Sequence, residues 1–201
     1  MRSSVPDRSF FDQEIGWAIR VHGRDRRGNK VLVVIGKLFP ARVNGEILVK
    51  YLMEKVFPEL NGENRFSVLY VHTGVQRADN YPGFSFLKSV LDAIPLDFKN
   101  RLDSIFFLHP GFQARLSLAV LGRVIFSGGL YGKIKYVNRV EFLWDHLRRT
   151  QLELPEFAYD QDEETEFRPV VDYGPESDNP RLYCGSSLDH PLSSYSMRCI
   201  A

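Results

Sequence analysis

Two stretches, VLYVHTG (Val68 to Gly74) and IFFLHPG (Ile105 to Gly111), share one plan: an apolar run, a histidine, then a turn that ends in glycine. The first run, Phe66 to His72, reads as a strand buried on both faces, because its hydrophobic residues are nearly continuous, and SIFFLH reads as a second strand. Between them lies a helical pattern, with Phe84, Phe86, Leu87, Val90, Leu91 and Ile94 at 3/4 spacing and Pro95 closing it. Before them, WAIRVHGRDRRGNKVLVVIGKLFP predicts a hairpin, Trp17 to Val21 and Lys30 to Gly36, turned by Asp25, Gly28 and Asn29. A helix follows with Ile47, Leu48, Tyr51, Leu52 and Val56 on one face, ended by Pro58, Asn61 and Gly62. After the second histidine come a helix, PGFQARLSLAVLGRVIFSGG, a strand over Lys133 to Val137, and a helix over VEFLWDHLRRTQL. Strands alternating with helices at this spacing predict an α/β domain with a mostly parallel sheet and an N-terminal edge hairpin.

Charge divides the chain. The 201 residues carry a net +1, but Asp160 to Ala201 holds nine acidic and three basic residues, net −6, leaving +7 on the rest. Apolar periodicity stops at YDQDEETEF, so the expected organisation is an N-terminal extension (1–16), a domain (17–159) and an acidic, disordered tail (160–201). Cys184 and Cys199, both in that tail, exclude a disulfide scaffold and a structural zinc site and fit a reducing compartment. The first residues have no signal-peptide core, Leu116 to Phe126 is too short to span a bilayer, and RCIA is one residue out of register for prenylation. The expectation is a cytoplasmic protein whose membrane contact is peripheral.

Catalytic and cofactor motifs are missing. GGLYGK (Gly128 to Lys133) is one residue short of a phosphate loop and precedes a strand, not a helix. Ser85 in GFSFL lies inside a helical pattern instead of on a nucleophile elbow. No histidine pair has the spacing of a helical metal site, and neither a metal, a cofactor nor a nucleic-acid partner is expected. His72 and His109 end neighbouring parallel strands, where open α/β folds bind ligands. Catalysis there would need an orienting carboxylate, and Asp79 and Asp103 fall at no strand's carboxyl end. The structural reading, in which each ring satisfies backbone groups as its strand unwinds, outweighs the catalytic one.

The helix after His109 is apolar nearly all round, with Arg115, Ser117 and Arg123 as the main exceptions. Such a helix needs cover on two sides, and the sheet supplies only one. It is a core helix, a lid over an apolar cavity, or a surface for a membrane or partner, and Gly128, Gly129 and Gly132 would let a lid move.

Taken in order, the hairpin GRDRRGNKVLVVIGKLFP, the strand VLYVHTG, the helix PGFSFLKSVL, IFFLHPGFQARLSLAVL and KIKYVNRVEFLWDHL followed by LELPEFAYD resemble the divergent branch of the CRAL-TRIO family, over about Ala18 to Asp160. That branch includes the BCH-type domains of some Rho GTPase-activating proteins and the C-terminal domain of ganglioside-induced differentiation-associated proteins. The resemblance implies a three-layer α/β/α sandwich whose sheet floors a hydrophobic pocket, gated by the helix after the HP strand. It also implies a non-enzymatic role, carrying a lipid or other hydrophobic molecule, or, as in the BCH branch, binding small GTPases and their regulators. Only about fifteen residues precede the first strand, so the helical bundle of full-length lipid-transfer members is not expected here. On this reading the pocket or gate candidates are Phe84, Leu87, Phe112, Leu116, Val120 and Val124. Arg24, Arg26 and Arg27 in the hairpin, with Arg123, Lys133 and Lys135 beside the gate, are the candidates for contact with an anionic membrane.

Overall fold

The computed structural model describes residues 15–39, 43–76, 79–125 and 129–166. All lie in the first of two compact units, Met1–Phe167; the second, Arg168–Ala201, is outside the described residues. Five strands form one sheet in sequential order: β1 (Ile19–Arg24), β2 (Lys30–Ile35), β3 (Phe66–Val71), β4 (Leu102–Leu108) and β5 (Ile134–Val137). β1 runs antiparallel to β2, and every other pair is parallel.

This order decides which face is covered by what. Parallel crossovers are right-handed, so three successive steps in one direction, β2 to β3 to β4 to β5, place all their helices on one face. The first crossover holds α1 (Gly45–Tyr51), a π-helical turn (Leu52–Val56) and α2 (Phe57–Leu60). Asn44 caps α1 by accepting from the N–H groups of Glu46 and Ile47. Pro58 does not end the helix as expected, because the wider π turn just upstream absorbs the residue that lacks an N–H. The second crossover holds α3 (Phe84–Ala93) and α4 (Leu96–Arg101), and the third holds α5 (Phe112–Ile125).

Leu32, Leu48, Leu52, Val56, Leu60, Phe66, Val90 and Leu102 form the core under the crossover helices. The opposite face is covered by the chain after β5: α6 (Val140–Leu143), an irregular stretch and α7 (Glu156–Glu166). There Val31, Val33, Leu69, Val71, Leu108, Val137, Leu143, Leu147 and Ala158 make a second core. The result is the expected sandwich of a mostly parallel sheet between helical layers.

Three expectations are corrected. The first strand begins at Ile19, because residues 15–18 form a helical turn that buries Ile15 and Ala18. The helix expected over VEFLWDHLRRTQL stops at Leu143. Beyond it the backbone bonds to the hairpin instead: Arg26 N–H donates to the His146 carbonyl, Arg148 N–H donates to that of Arg24, and Leu147 bridges Asp25. Helix α7 also continues through the boundary placed at residue 160, so 160–166 belong to the folded domain. The rest of the expected tail, with both cysteines, lies outside the described residues.

Buried Asp25 fixes the hairpin. Its carboxylate accepts from the backbone and side-chain amides of Asn29, at 2.8 and 2.9 Å, and from the Ser67 hydroxyl on β3, at 2.9 Å.

Candidate functional site

The carboxyl ends of β3 and β4 bring His72 and His109 to one edge of the sheet, where each N–H extends the ladder: His72 to the Leu108 carbonyl and His109 to that of Val137. Beyond this the two residues differ. His109 has φ of 52°, the left-handed region that a non-glycine residue before proline occupies only when its surroundings impose it. Its ring supplies the restraint. Nε2–H donates to Asp162 Oδ1 at 2.9 Å, and the Thr73 hydroxyl donates to Nδ1 at 2.7 Å. The partners set this tautomer, since a carboxylate can only accept. The other Asp162 oxygen accepts the Val140 N–H at 2.7 Å, so one carboxylate ties α7 to the starts of both turns that leave the sheet.

Hydroxyl, imidazole and carboxylate here have the connectivity of a nucleophile, base and acid. Thr73 is only 3% exposed, however, which withholds its oxygen from a substrate, and the arrangement acts as a clamp. Burial lowers the His109 pKa below its ordinary range even though Asp162 opposes the shift, so the ring is neutral at physiological pH.

The orienting carboxylate is thus Asp162, which the sequence reading had assigned to the tail. Asp103 is elsewhere, paired with Arg27 at 2.9 Å and Arg65 at 3.1 Å.

His72 makes no such clamp. Its ring lies between Tyr70 and Phe107, with centroids at 5.7 and 5.2 Å, and Phe107 meets Tyr136 at 6.0 Å. These four side chains form an aromatic row along the crossover-helix face of β3, β4 and β5. His72 Nδ1 is buried with no hydrogen-bond partner among the described residues, and burial lowers the pKa of the ring. Burial also raises the Tyr70 phenol well above its ordinary range.

Helix α5 lies on the same face as this row. Arg115 ties it there: its guanidinium sits 5.6 Å from the Tyr136 ring centre and donates to the Pro110 carbonyl and to Asn138. Gly122 is required by a close approach, because a Cβ there would stand 2.5 Å from the Tyr131 ring. Leu118 is buried beneath the helix. The outer side is left without cover: Phe112 is 79% exposed, Leu116 54% and Val120 67%, a stripe at i, i+4 and i+8. The two-sided burial expected of this helix is therefore not met by any described residue.

The structure brings Phe112, Leu116 and Val120 together on this stripe and places Leu87 half-buried on neighbouring α3. Phe84 and Val124 belong to α3 and α5 by backbone, and their side chains lie outside the described residues.

The basic candidates are dispersed, and most have internal partners. Arg24 pairs with Glu63 at 3.1 Å, and Arg26 donates twice to the Trp144 carbonyl. Lys133 donates to the Leu102 carbonyl, and Lys135 lies over the Phe106 ring on the opposite face. Arg123, exposed on α5, has no carboxylate partner among the described residues. Among these residues no group of three acidic, histidine or cysteine side chains could hold a metal, and no helix is long and apolar enough to cross a membrane.

A five-stranded, mostly parallel sheet, with an apolar helix packed beside α3 and tied to Tyr136 of β5, is an open α/β architecture of the kind that binds ligands at the carboxyl ends of its strands. The chain belongs to the divergent CRAL/TRIO domain family, a lipid-binding type of domain, and residues 28–164 match the family model. It is 28% identical over 153 residues to Protein GDAP2 homolog of Drosophila melanogaster, covering 74% of this chain and 28% of that protein. It is 27% identical over 146 residues to Ganglioside-induced differentiation-associated protein 2 of Xenopus tropicalis, covering 72% and 29%. Against human Rho GTPase-activating protein 1 the identity is 25% over 192 residues, covering 92% and 43%. The chain therefore spans less than half the length of these relatives.

Proposed function

We propose that this domain is a non-enzymatic carrier that holds a lipid or other hydrophobic molecule between α5 and the aromatic row Tyr70, His72, Phe107 and Tyr136. The observation that carries the reading is the exposed stripe Phe112, Leu116 and Val120 on the helix that shares a sheet face with this row and is tied to it through Arg115 and Tyr136. A helix with apolar residues on both its inner and outer sides is suited to move between protein and acyl chains at little cost. Each large apolar side chain that passes from water into lipid gains about 1.5–3 kcal/mol on full burial. Acyl chains add about 0.8 kcal/mol per buried CH₂, so a ligand needs few polar contacts. The unpartnered Nδ1 of His72 offers one polar contact inside an otherwise apolar lining. Contact with a membrane would run through the same stripe, with Arg123 the basic residue best placed beside it.

The test is organic extraction and mass spectrometry of the purified protein, alongside Leu116→Asp and Val120→Asp. A recurrent lipid species in the wild type, depleted in both variants, supports carriage. No species above a mock purification contradicts it.

A second reading, a scaffold that receives a small GTPase or its regulator on the same stripe, draws on the Rho GTPase-activating protein 1 relative, whose similarity covers 92% of this chain. Capture of a purified Rho-type GTPase by wild type but not by Val120→Asp, with no extractable lipid, favours that alternative.

A further inference from the structure

On the far side of the sheet from α5, the turn of the first hairpin and the chain after α6 enclose a cleft of about 350 Å³, lined by Arg26, Trp144, Leu147, Arg148 and Arg149. Its volume falls within the ~300–1,000 Å³ common for small-molecule sites. The chain is held in place here by backbone bonds, Arg26 N–H to the His146 carbonyl and Arg148 N–H to that of Arg24, so three arginines line one opening on a fixed frame. Leu147 is fully buried and forms the apolar floor.

The three arginines are prepared in different ways. Arg26 is oriented, because Nε and Nη2 both donate to the Trp144 carbonyl, at 2.9 and 2.7 Å. Arg149 lies over the Trp144 ring at 5.9 Å, a contact that steadies a cation without neutralising it. Arg148 and Arg149 have no carboxylate partner among the described residues, whereas Arg24, Arg27, Arg65 and Arg101 each have one. Positive potential extends around the opening: Lys135, Arg26 and Arg27 all add to burial in lowering the pKa of neighbouring His146, and Asp145 only partly offsets them.

We infer that this cleft is a second binding site, for a small polyanion bearing phosphoryl groups. Guanidinium forks match the oxygen geometry of phosphate, and Arg148 and Arg149, with no carboxylate partner among the described residues, beside the charge of Arg26 favour a ligand of charge beyond −1 over a single carboxylate. The Trp144 ring and Leu147 provide an apolar wall for whatever carries the phosphoryl group. The site shares no residue with the α5 face and does not depend on the carrier reading.

Trp144 is the natural reporter. Trp17, the second tryptophan, is removed as Trp17→Phe, and fluorescence is titrated with sodium pyrophosphate against sodium chloride at equal ionic strength. The expected result is a saturable change with pyrophosphate alone. Arg148→Ala with Arg149→Ala, both exposed positions, should weaken binding by about tenfold or more, while Lys50→Ala, exposed on α1, leaves it unchanged. Should the double alanine variant melt early, Arg148→Lys with Arg149→Lys keeps the charge but loses the forks, and it too should bind more weakly.

Co-sedimentation with phosphatidate-containing and pure phosphatidylcholine vesicles separates the two sources of such a ligand. Phosphatidate binding lost in the double variant marks a lipid headgroup, and pyrophosphate binding without sedimentation marks a free phosphate compound. A change that chloride reproduces, an unaffected double variant, or an equal loss on Lys50→Ala would overturn the site.

Discussion

The two faces of the sheet are built to different standards. On the face under α6 and α7, Val31, Val33, Leu69, Val71 and Leu108 are sealed from water, and the segment that covers them is tied down by Asp162 and by the hairpin. On the other face, the carboxyl half of the sheet carries Tyr70, His72, Phe107 and Tyr136, half-buried or exposed, and shares that face with a helix whose outer side is apolar. Topology explains the division. Three same-handed crossovers fill one face unevenly, while a single returning segment seals the central strands on the other and leaves a cleft only at the hairpin end. Both faces carry a core, but only the carboxyl half under the crossover helices is left partly open, and that is where the proposed ligand would sit.

The largest effect should follow from breaking the closed face. Leu69→Ala leaves a cavity in a packed core and should cost about 2–5 kcal/mol in urea unfolding, whereas Phe107→Leu on the open half should cost below about 1.5. Equal losses would remove the contrast.

The clamp between the faces comes next. His109→Ala keeps the left-handed backbone and loses both ring bonds, and should cost about 2–3 kcal/mol; His109→Asn, which tolerates that backbone better, should cost about 1 kcal/mol less. Chemical denaturation of the pair checks this: the reverse order would remove the backbone argument, and losses below about 0.5 kcal/mol in both would show that the ring bonds contribute little.

Much of this contrast was legible in the sequence. The runs ending in His72 and His109 read correctly as parallel strands, but the double-sided burial expected of the first is only partly met, since Tyr70, His72 and Phe107 on one face are half-buried. The clamp was hidden by distance: His109 and Asp162 are 53 residues apart, and the short, acidic α7 buries little besides Ala158 and so shows no clear apolar period. The break after Leu143 was hidden for another reason. Its cause is backbone bonding to Arg24 and Arg26 in the hairpin, which leaves no side-chain pattern to read. The apolar stripe of α5 was visible, but whether it would be covered depended on chain packing that periodicity does not encode. Among the basic candidates, charge could be counted, but the internal partners of Arg24, Arg27 and Lys133 could not.

Acid should weaken the fold moderately. His72, His109 and His146 are all lowered from the ordinary 6.5, with burial the largest cause in each. A histidine whose folded pKa is lowered takes up a proton on unfolding, so its contribution is complete above 6.5 and drains as pH falls through and below it. Thermal melts at constant ionic strength should drop by about 2–4 °C or more between about pH 7.5 and about pH 5.5. A flat profile would place these rings in water.

The smallest effect on stability is expected at the stripe. Leu116→Asp and Val120→Asp should change the unfolding free energy by no more than about 0.5 kcal/mol, since these side chains are already exposed. A loss above about 2 kcal/mol would mean that the outer side of α5 is covered in solution.

The central claim, that the α5 side of the sheet holds the hydrophobic ligand and the α6–α7 side does not, is tested most directly by photolabelling. The protein is loaded with a phospholipid carrying a photoactivatable acyl chain, irradiated, and mapped by peptide mass spectrometry. Labels should concentrate on α5 and on the β3, β4 and β5 peptides that carry Tyr70, His72, Phe107 and Tyr136. Labels confined to residues 140–166, or none above an unirradiated control, would contradict the account.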